Sequence, residues 1–370
     1  MHCNAALGRY DESQLASQMD GLLLAVPSVF EPFTVAIMAR AVSGLVISKR
    51  SEELGLRALG ALATHDSEIA SSPARQDWLT AQLRIQCLLG DPSEVETSLS
   101  ALSSEMIQTK TRSSSAAVLA VGRGGVCCAQ GRYREALEHF TGGLAIATEL
   151  GNGTLIASVH ANRALCFGML GNFDQQIVAA KESLRYEREL SGSYRRVLAR
   201  YHVAIGHALR GERVEACSAA QELADMPLEA ATQWVQQARH LYLADALWLA
   251  GKKRAALTPA GLGTSRRFAR PVATAFTGTH ARWLARLQPA ARSTRTYLAG
   301  LFDRRAQFDL IDQVEIALAC QFVYEAQAQS IDCVAGAQAS EMLSRLPSAC
   351  SHILAELGML PMSRRRQDIG

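Results

Sequence analysis

The chain has 370 residues, of which 48% are hydrophobic, 20% charged and only 6% aromatic. Its 38 Lys and Arg nearly balance 35 Asp and Glu, a net charge of +3, so nothing in the bulk charge calls for direct nucleic-acid binding. Apolar runs break off short of the ~18–20 residues a membrane span needs, and the opening MHCNAALGRYDES has no basic stretch followed by an apolar core; a cytoplasmic chain with no membrane partner is expected.

A short turn signature recurs along the chain. It reads Leu7-Gly8-Arg9-Tyr10, Leu89-Gly90-Asp91-Pro92, Gln130-Gly131-Arg132-Tyr133, Leu170-Gly171-Asn172-Phe173, Arg210-Gly211-Glu212-Arg213 and Ala250-Gly251-Lys252-Lys253. Successive glycines lie 82, 41, 40, 40 and 40 residues apart, and the midpoint of the double gap falls on Lys49. A fixed period of this size is the mark of a helical repeat array, which grows by stacking and needs no separate cores. Each glycine sits just past the last periodic residue of one helix, where a left-handed turn is wanted. After Gly131, the residues Tyr133, Ala136, Leu137, Phe140, Leu144 and Ala147 form one apolar stripe at helical spacing.

Seven helix pairs follow, centred near residues 8, 49, 90, 131, 171, 211 and 251, with two further pairs centred near Ala291 and Ser330. The fold class is therefore all-α, a right-handed superhelical solenoid of seven to nine antiparallel helix pairs. Residues 1–115 form divergent repeats, 116–260 the regular ones, 261–346 divergent C-terminal ones, and 347–370 a capping helix with a basic tail. The Ser-rich stretches 64–77 and 103–115 read as loops between units. Only seven residues precede Gly8, so the first repeat is truncated, and the chain is expected to be part of a larger multidomain protein.

These residues resemble the tetratricopeptide repeat family. Gly124, Gly131, Tyr133, Ala136, Phe140 and Leu144 fit its pattern, Ala164, Ala204 and Ala244 keep its small first-helix residue, and Ala216 and Ala256 keep its second-helix alanine, with Gln176 departing from it. The match is strong over 116–260. The period exceeds the family's usual ~34 residues and is similar to the longer variant in the solenoid arm of large ATP-dependent LuxR-type regulators and related signalling ATPases. The resemblance implies a sensory or partner-binding arm that takes a protein or peptide, with no cofactor and no catalysis. The chain itself carries no GxxxxGK[ST] loop.

Two side-chain rows repeat with the turns. Nine residues before each turn stand Asn162, His202, Tyr242 and Arg282, with Arg40 in the second unit. The resemblance implies that this row faces the concave groove, where polar groups suit an extended segment or a terminal carboxylate. Eleven residues before each turn stand His160, Arg200, His240 and His280, a basic row that either takes an acidic or phosphate group or is hydrogen-bonded locally between helices. The rows are two residues, roughly 200°, apart, so both cannot line one groove.

Other candidates have structural readings. His202 and His207 are five apart with no third ligand at helical spacing, so no metal site is expected. Gly122-Arg123-Gly124-Gly125 and Gly261-Leu262-Gly263 follow no strand and read as packing glycines. Trp78, Trp234, Trp248 and Trp283 read as core. The nine cysteines show no CxxC and read as small buried residues in a reducing compartment. Two rival functions stay open: a transcriptional regulator with a separate DNA-binding element, and an enzyme using Asp245 or His202 in the groove.

Overall fold

The structure, a computed structural model, describes residues 38–39, 41–43, 52–64, 66–89, 92–109, 114–186, 194–227, 233–265, 277–304, 306, 308–325 and 332–359. Among the described residues there are seventeen α-helices and no strand. They are α1 (Glu52–Thr64), α2 (Asp66–Ile69), α3 (Arg75–Leu89), α4 (Pro92–Thr109), α5 (Ser114–Ala129), α6 (Tyr133–Glu149), α7 (Gly153–Met169), α8 (Phe173–Tyr186) and α9 (Tyr194–Leu209). The rest are α10 (Arg213–Ala224), α11 (Gln233–Leu249), α12 (Lys253–Gly263), α13 (Thr277–Leu287), α14 (Arg292–Asp303), α15 (Leu310–Glu325), α16 (Asp332–Ser344) and α17 (Ser348–Glu356). No helix among the described residues is long and apolar enough to cross a membrane.

The predicted turns at Gly131, Gly171, Gly211 and Gly251 all have positive φ, at 76, 77, 81 and 82°. They close by one hydrogen-bond pattern. Gly131 N–H donates to the Cys128 carbonyl at 2.9 Å and Arg132 N–H to the Cys127 carbonyl at 2.8 Å, and the same pair of bonds recurs at the other three glycines. This is the Schellman arrangement, which satisfies carbonyls the helix end leaves open. The turns at Gly8, Lys49 and Gly90 lie outside the described residues.

The helix pairs α5–α6, α7–α8, α9–α10 and α11–α12 pack closely and stack on one another as an all-α solenoid. Small residues set their approach. A Cβ at Gly124 would lie 2.5 Å from Phe140 Cε1, so the ring of α6 rests on the backbone of α5. Ala164, Ala204 and Ala244 occupy the matching positions and are fully buried. Trp78, Trp234 and Trp283 are buried as expected.

Three expectations change. The stretch 103–109 is helical, because α4 runs to Thr109, and the hydroxyls of Ser100 and Ser104 donate to the carbonyls of Glu96 and Ser100. A serine so satisfied does not break a helix. The stretch 64–77 likewise contains α2 and the start of α3. The third change concerns the pair centred near Ala291. A break does fall there, yet α13 packs chiefly on α15 rather than on α14. Gly278 lets α15 approach: a Cβ there would meet Asp312 Oδ1 and Glu315 Oε2 at 2.7 Å. The turn expected near Ser330 and the basic tail lie outside the described residues.

The C-terminal helices return to the regular repeats. Leu310, Val314, Leu343, Leu346, Cys350 and Leu354 share one core with Tyr133, Phe140, Val159 and Cys166. Leu346 and Leu310 press on the Gly131 turn, and Ala349 on the Gly171 turn. Cys350 Sγ donates to the Met169 carbonyl at 3.5 Å, and Arg286 Nη2 of α13 donates to the Leu357 carbonyl at 2.7 Å. The helix expected as an end cap, α17, thus lies across the turns of the central repeats.

Candidate functional site: two polar rows between helices

The basic row is distributed one residue to a hairpin. His160 of α7 stacks on Tyr186 of α8, ring centroids 6.4 Å apart. Arg200 of α9 donates to Glu222 of α10 at 2.5 Å. His240 of α11 lies against Gly263 at the end of α12. His280 of α13 meets Tyr297 of α14 edge-on, with the hydroxyl 3.3 Å from Nδ1. The four side chains do not converge on one another. Burial, then Arg163, lowers the pKa of His160; burial, then Arg239, lowers that of His240; and burial pushes His280 down to about 4. Three imidazoles of this row are therefore disposed to stay neutral.

The second row ties one repeat to the next. Asn162 is half-buried. His202 is buried, and its Nδ1 lies 3.0 Å from Gln176 Nε2 on α8. That contact accounts for Gln176, which replaces an alanine of the repeat pattern. Burial pushes His202 down to about 3, leaving the ring neutral. Tyr242 is buried, with its hydroxyl 3.2 Å from that of Tyr194 and its ring stacked on Tyr201 at 4.4 Å. Arg40 lies outside the described residues.

Arg282 occupies the most polar point of this row. Its two terminal nitrogens donate to Asp245 at 2.9 and 2.8 Å, and its Nε donates to Glu315 at 3.3 Å. Trp283 Nε1 donates to Asp245 at 2.7 Å, and the Tyr201 hydroxyl does so at 3.5 Å. The Arg282 and Asp245 side chains are both 0% exposed. Burial alone would favour a neutral guanidinium; Asp245 and then Glu315 outweigh it and raise the Arg282 pKa. Burial raises Glu315, with Arg282 opposing, and burial, then Glu315, pushes the neighbouring Asp312 well up. Asp309 rises to about 6 through burial.

Tyr201, Asp245 and Glu315 thus link Tyr242 and Arg282 in one set of contacts from α9 through α11 and α13 to α15, and three of the row's four described members are buried. Sequence reasoning missed Glu315 and weighed Asp245 only as a catalytic group. Their signal is an isolated carboxylate in an apolar helix, as in LYLADALWLA and LIDQVEIALAC. Such a carboxylate needs a buried cation.

A different grouping has metal-ligand chemistry. Cys127 of α5 and Glu135 and His139 of α6 each bring a ligand atom within 4.8 Å of the others. They line an open cleft of about 520 Å³ between α4, α5 and α6. The sequence signal was the i, i+4 spacing of Glu135 and His139.

Stacked helix pairs closed by one recurring glycine turn define a helical-repeat protein. Residues 115–189, which hold α5 to α8, match the tetratricopeptide repeat family model. That segment is therefore built of tetratricopeptide-type repeats, set within an all-α array of helix pairs. No curated protein sequence matches the chain. Among solved structures, the Rap conjugation gene regulator of the plasmid pLS20 in complex with the Phr* peptide is similar. It has a TM-score of 0.47 and 13% identity, covering 90% of this chain and 99% of that one.

Proposed function

We propose that this chain is a non-catalytic scaffold that binds a helical segment of a protein partner across the turns of its central repeats. One observation carries the reading: this surface already accepts a helix, since α17 lays Cys350 and Leu354 into the core that Tyr133, Val159 and Cys166 help to form. An amphipathic helix in an apolar groove is a recurring mode of peptide recognition. The bare backbone at Gly131 and Gly171 permits the close approach. In this reading the buried groups His202, Tyr242 and Arg282 hold the helices at the spacing a partner meets. Asn162, half-buried, keeps exposure for direct contact.

The forty-residue period supports a finer reading, in which the scaffold is the partner-binding arm of a signalling or transcription-regulatory protein. The test uses the full chain and a labelled peptide of residues 345–359. Leu354→Asp, which loosens α17, should let the chain bind this peptide saturably, while the unaltered chain binds it at least about tenfold more weakly, a gap of ~1.4 kcal/mol. Equal weak binding by both chains would remove the reading.

A further inference from the structure

We propose that Cys127, Glu135 and His139 form a binding site for a zinc-type divalent cation, with three protein ligands and a fourth position open to the cleft between α4, α5 and α6. The site opens to the cleft lined by α4, α5 and α6, and Cys127 borders both that cleft and the core that α17 joins. It draws on neither polar row.

The geometry is set by packed helices. Glu135 and His139 stand one turn apart on α6, so they share a face. Cys127 reaches that face from the last turn of α5, where its own carbonyl accepts the Arg132 N–H that closes the Gly131 turn. The turn holds α5 and α6 in register, and Phe140 seated on Gly124 fixes their separation. The three ligand atoms lie within 4.8 Å of one another, against the ~3.5 Å that tetrahedral bonds of about 2.0–2.3 Å impose. Closing that difference takes small side-chain rotations.

The donor set selects the ion. Thiolate, imidazole and carboxylate together suit zinc, whereas magnesium and calcium favour all-oxygen sets. On binding, one sulfur, one nitrogen and one oxygen bond form to the metal, and the thiol proton leaves to solvent. Glu135 also exchanges a partner, because Arg132 Nη1 now donates to its carboxylate. Arg132 keeps an alternative acceptor, since its Nε donates to Gln130 Oε1 at 2.9 Å. The fourth metal position faces a cleft lined by Glu96, Ser100, Ser103 and Arg123, with room for water or an external carboxylate.

Cobalt(II) titration of the full chain, reduced with a thiol-free reductant, tests the site. One equivalent should produce a thiolate-to-cobalt charge-transfer band and tetrahedral ligand-field bands, both removed by zinc. Cys127→Ser should abolish the charge-transfer band, and His139→Gln should weaken cobalt binding about tenfold or more. Cys128→Ser should leave the band in place, which separates the site from the neighbouring Cys128–Cys166 contact at 3.3 Å. Far-UV circular dichroism checks each fold; if Cys127→Ser loses helicity, the partly exposed His139 decides the matter. Absence of the band in the unaltered chain overturns the proposal. So does a band that persists in His139→Gln at unchanged affinity, or one that depends on Cys128.

Discussion

Asp245 accepts hydrogen bonds from Arg282, Trp283 and Tyr201, and so gathers side chains from two other helices onto one carboxylate. Taking such a pair out of water is costly, and the mutual attraction offsets this only while both partners remain. Asp245→Ala strands Arg282 with Glu315 alone and should cost ~3–5 kcal/mol of stability in urea unfolding. Adding Arg282→Leu to the same chain should recover most of that loss. A single variant within ~1 kcal/mol of the parent would mean that the pair is solvated. The Arg200–Glu222 pair is the contrast. Glu222 is 62% exposed, so that ion pair contributes little. At this scale the sequence was partly legible. The rows were visible as spacings, but the partners of Arg282 lie 37 and 33 residues away, on helices whose mutual rotation no local pattern encodes.

Among the elements, the glycine turns were the most readable feature, because a left-handed residue at a helix end leaves a direct mark in composition. The Ser-rich stretch before α5 was misread for the opposite reason. Serine is compatible with both loop and helix, and its hydroxyl decides by finding a carbonyl four residues back. The turns differ in surroundings although their backbones agree. Nothing lies within 4 Å of a Cβ built on Gly211, so Gly211→Ala meets only the backbone penalty of ~1–2 kcal/mol. On Gly131 the same Cβ would lie 2.8 Å from Leu346 and 3.0 Å from Leu310. Gly131→Ala should therefore cost at least ~1 kcal/mol more than Gly211→Ala, the extra term being overpacking. Equal melting losses for the two variants would show that α15 and the link between α16 and α17 do not press on the turn in solution.

For the molecule as a whole, the return of α15–α17 alters how the array holds together. A simple stack of repeats gains stability only from nearest neighbours and frays from its ends. Here Cys350 and Leu354 join a core that includes Tyr133 and Cys166, so the last helix and the fourth and fifth units share their burial. Urea unfolding followed by circular dichroism and by tryptophan fluorescence should give one coincident transition. Two separated transitions would show that the C-terminal helices detach first. Periodicity could not reveal this closure, since a repeat pattern reports what each unit does with its neighbours and is silent on contacts made across the array.

The contact between Cys350 and Met169 spans 181 residues. At the ~5–20 residues per second of protein synthesis, that separation corresponds to roughly 10–35 s. The central hairpins can form their local pairs early in that interval, while their turns and the apolar groups around Tyr133 remain uncovered. The nascent chain therefore passes through a window in which its best-formed repeats are also its stickiest surface, and that window closes only when the segment through Leu357 has left the ribosome.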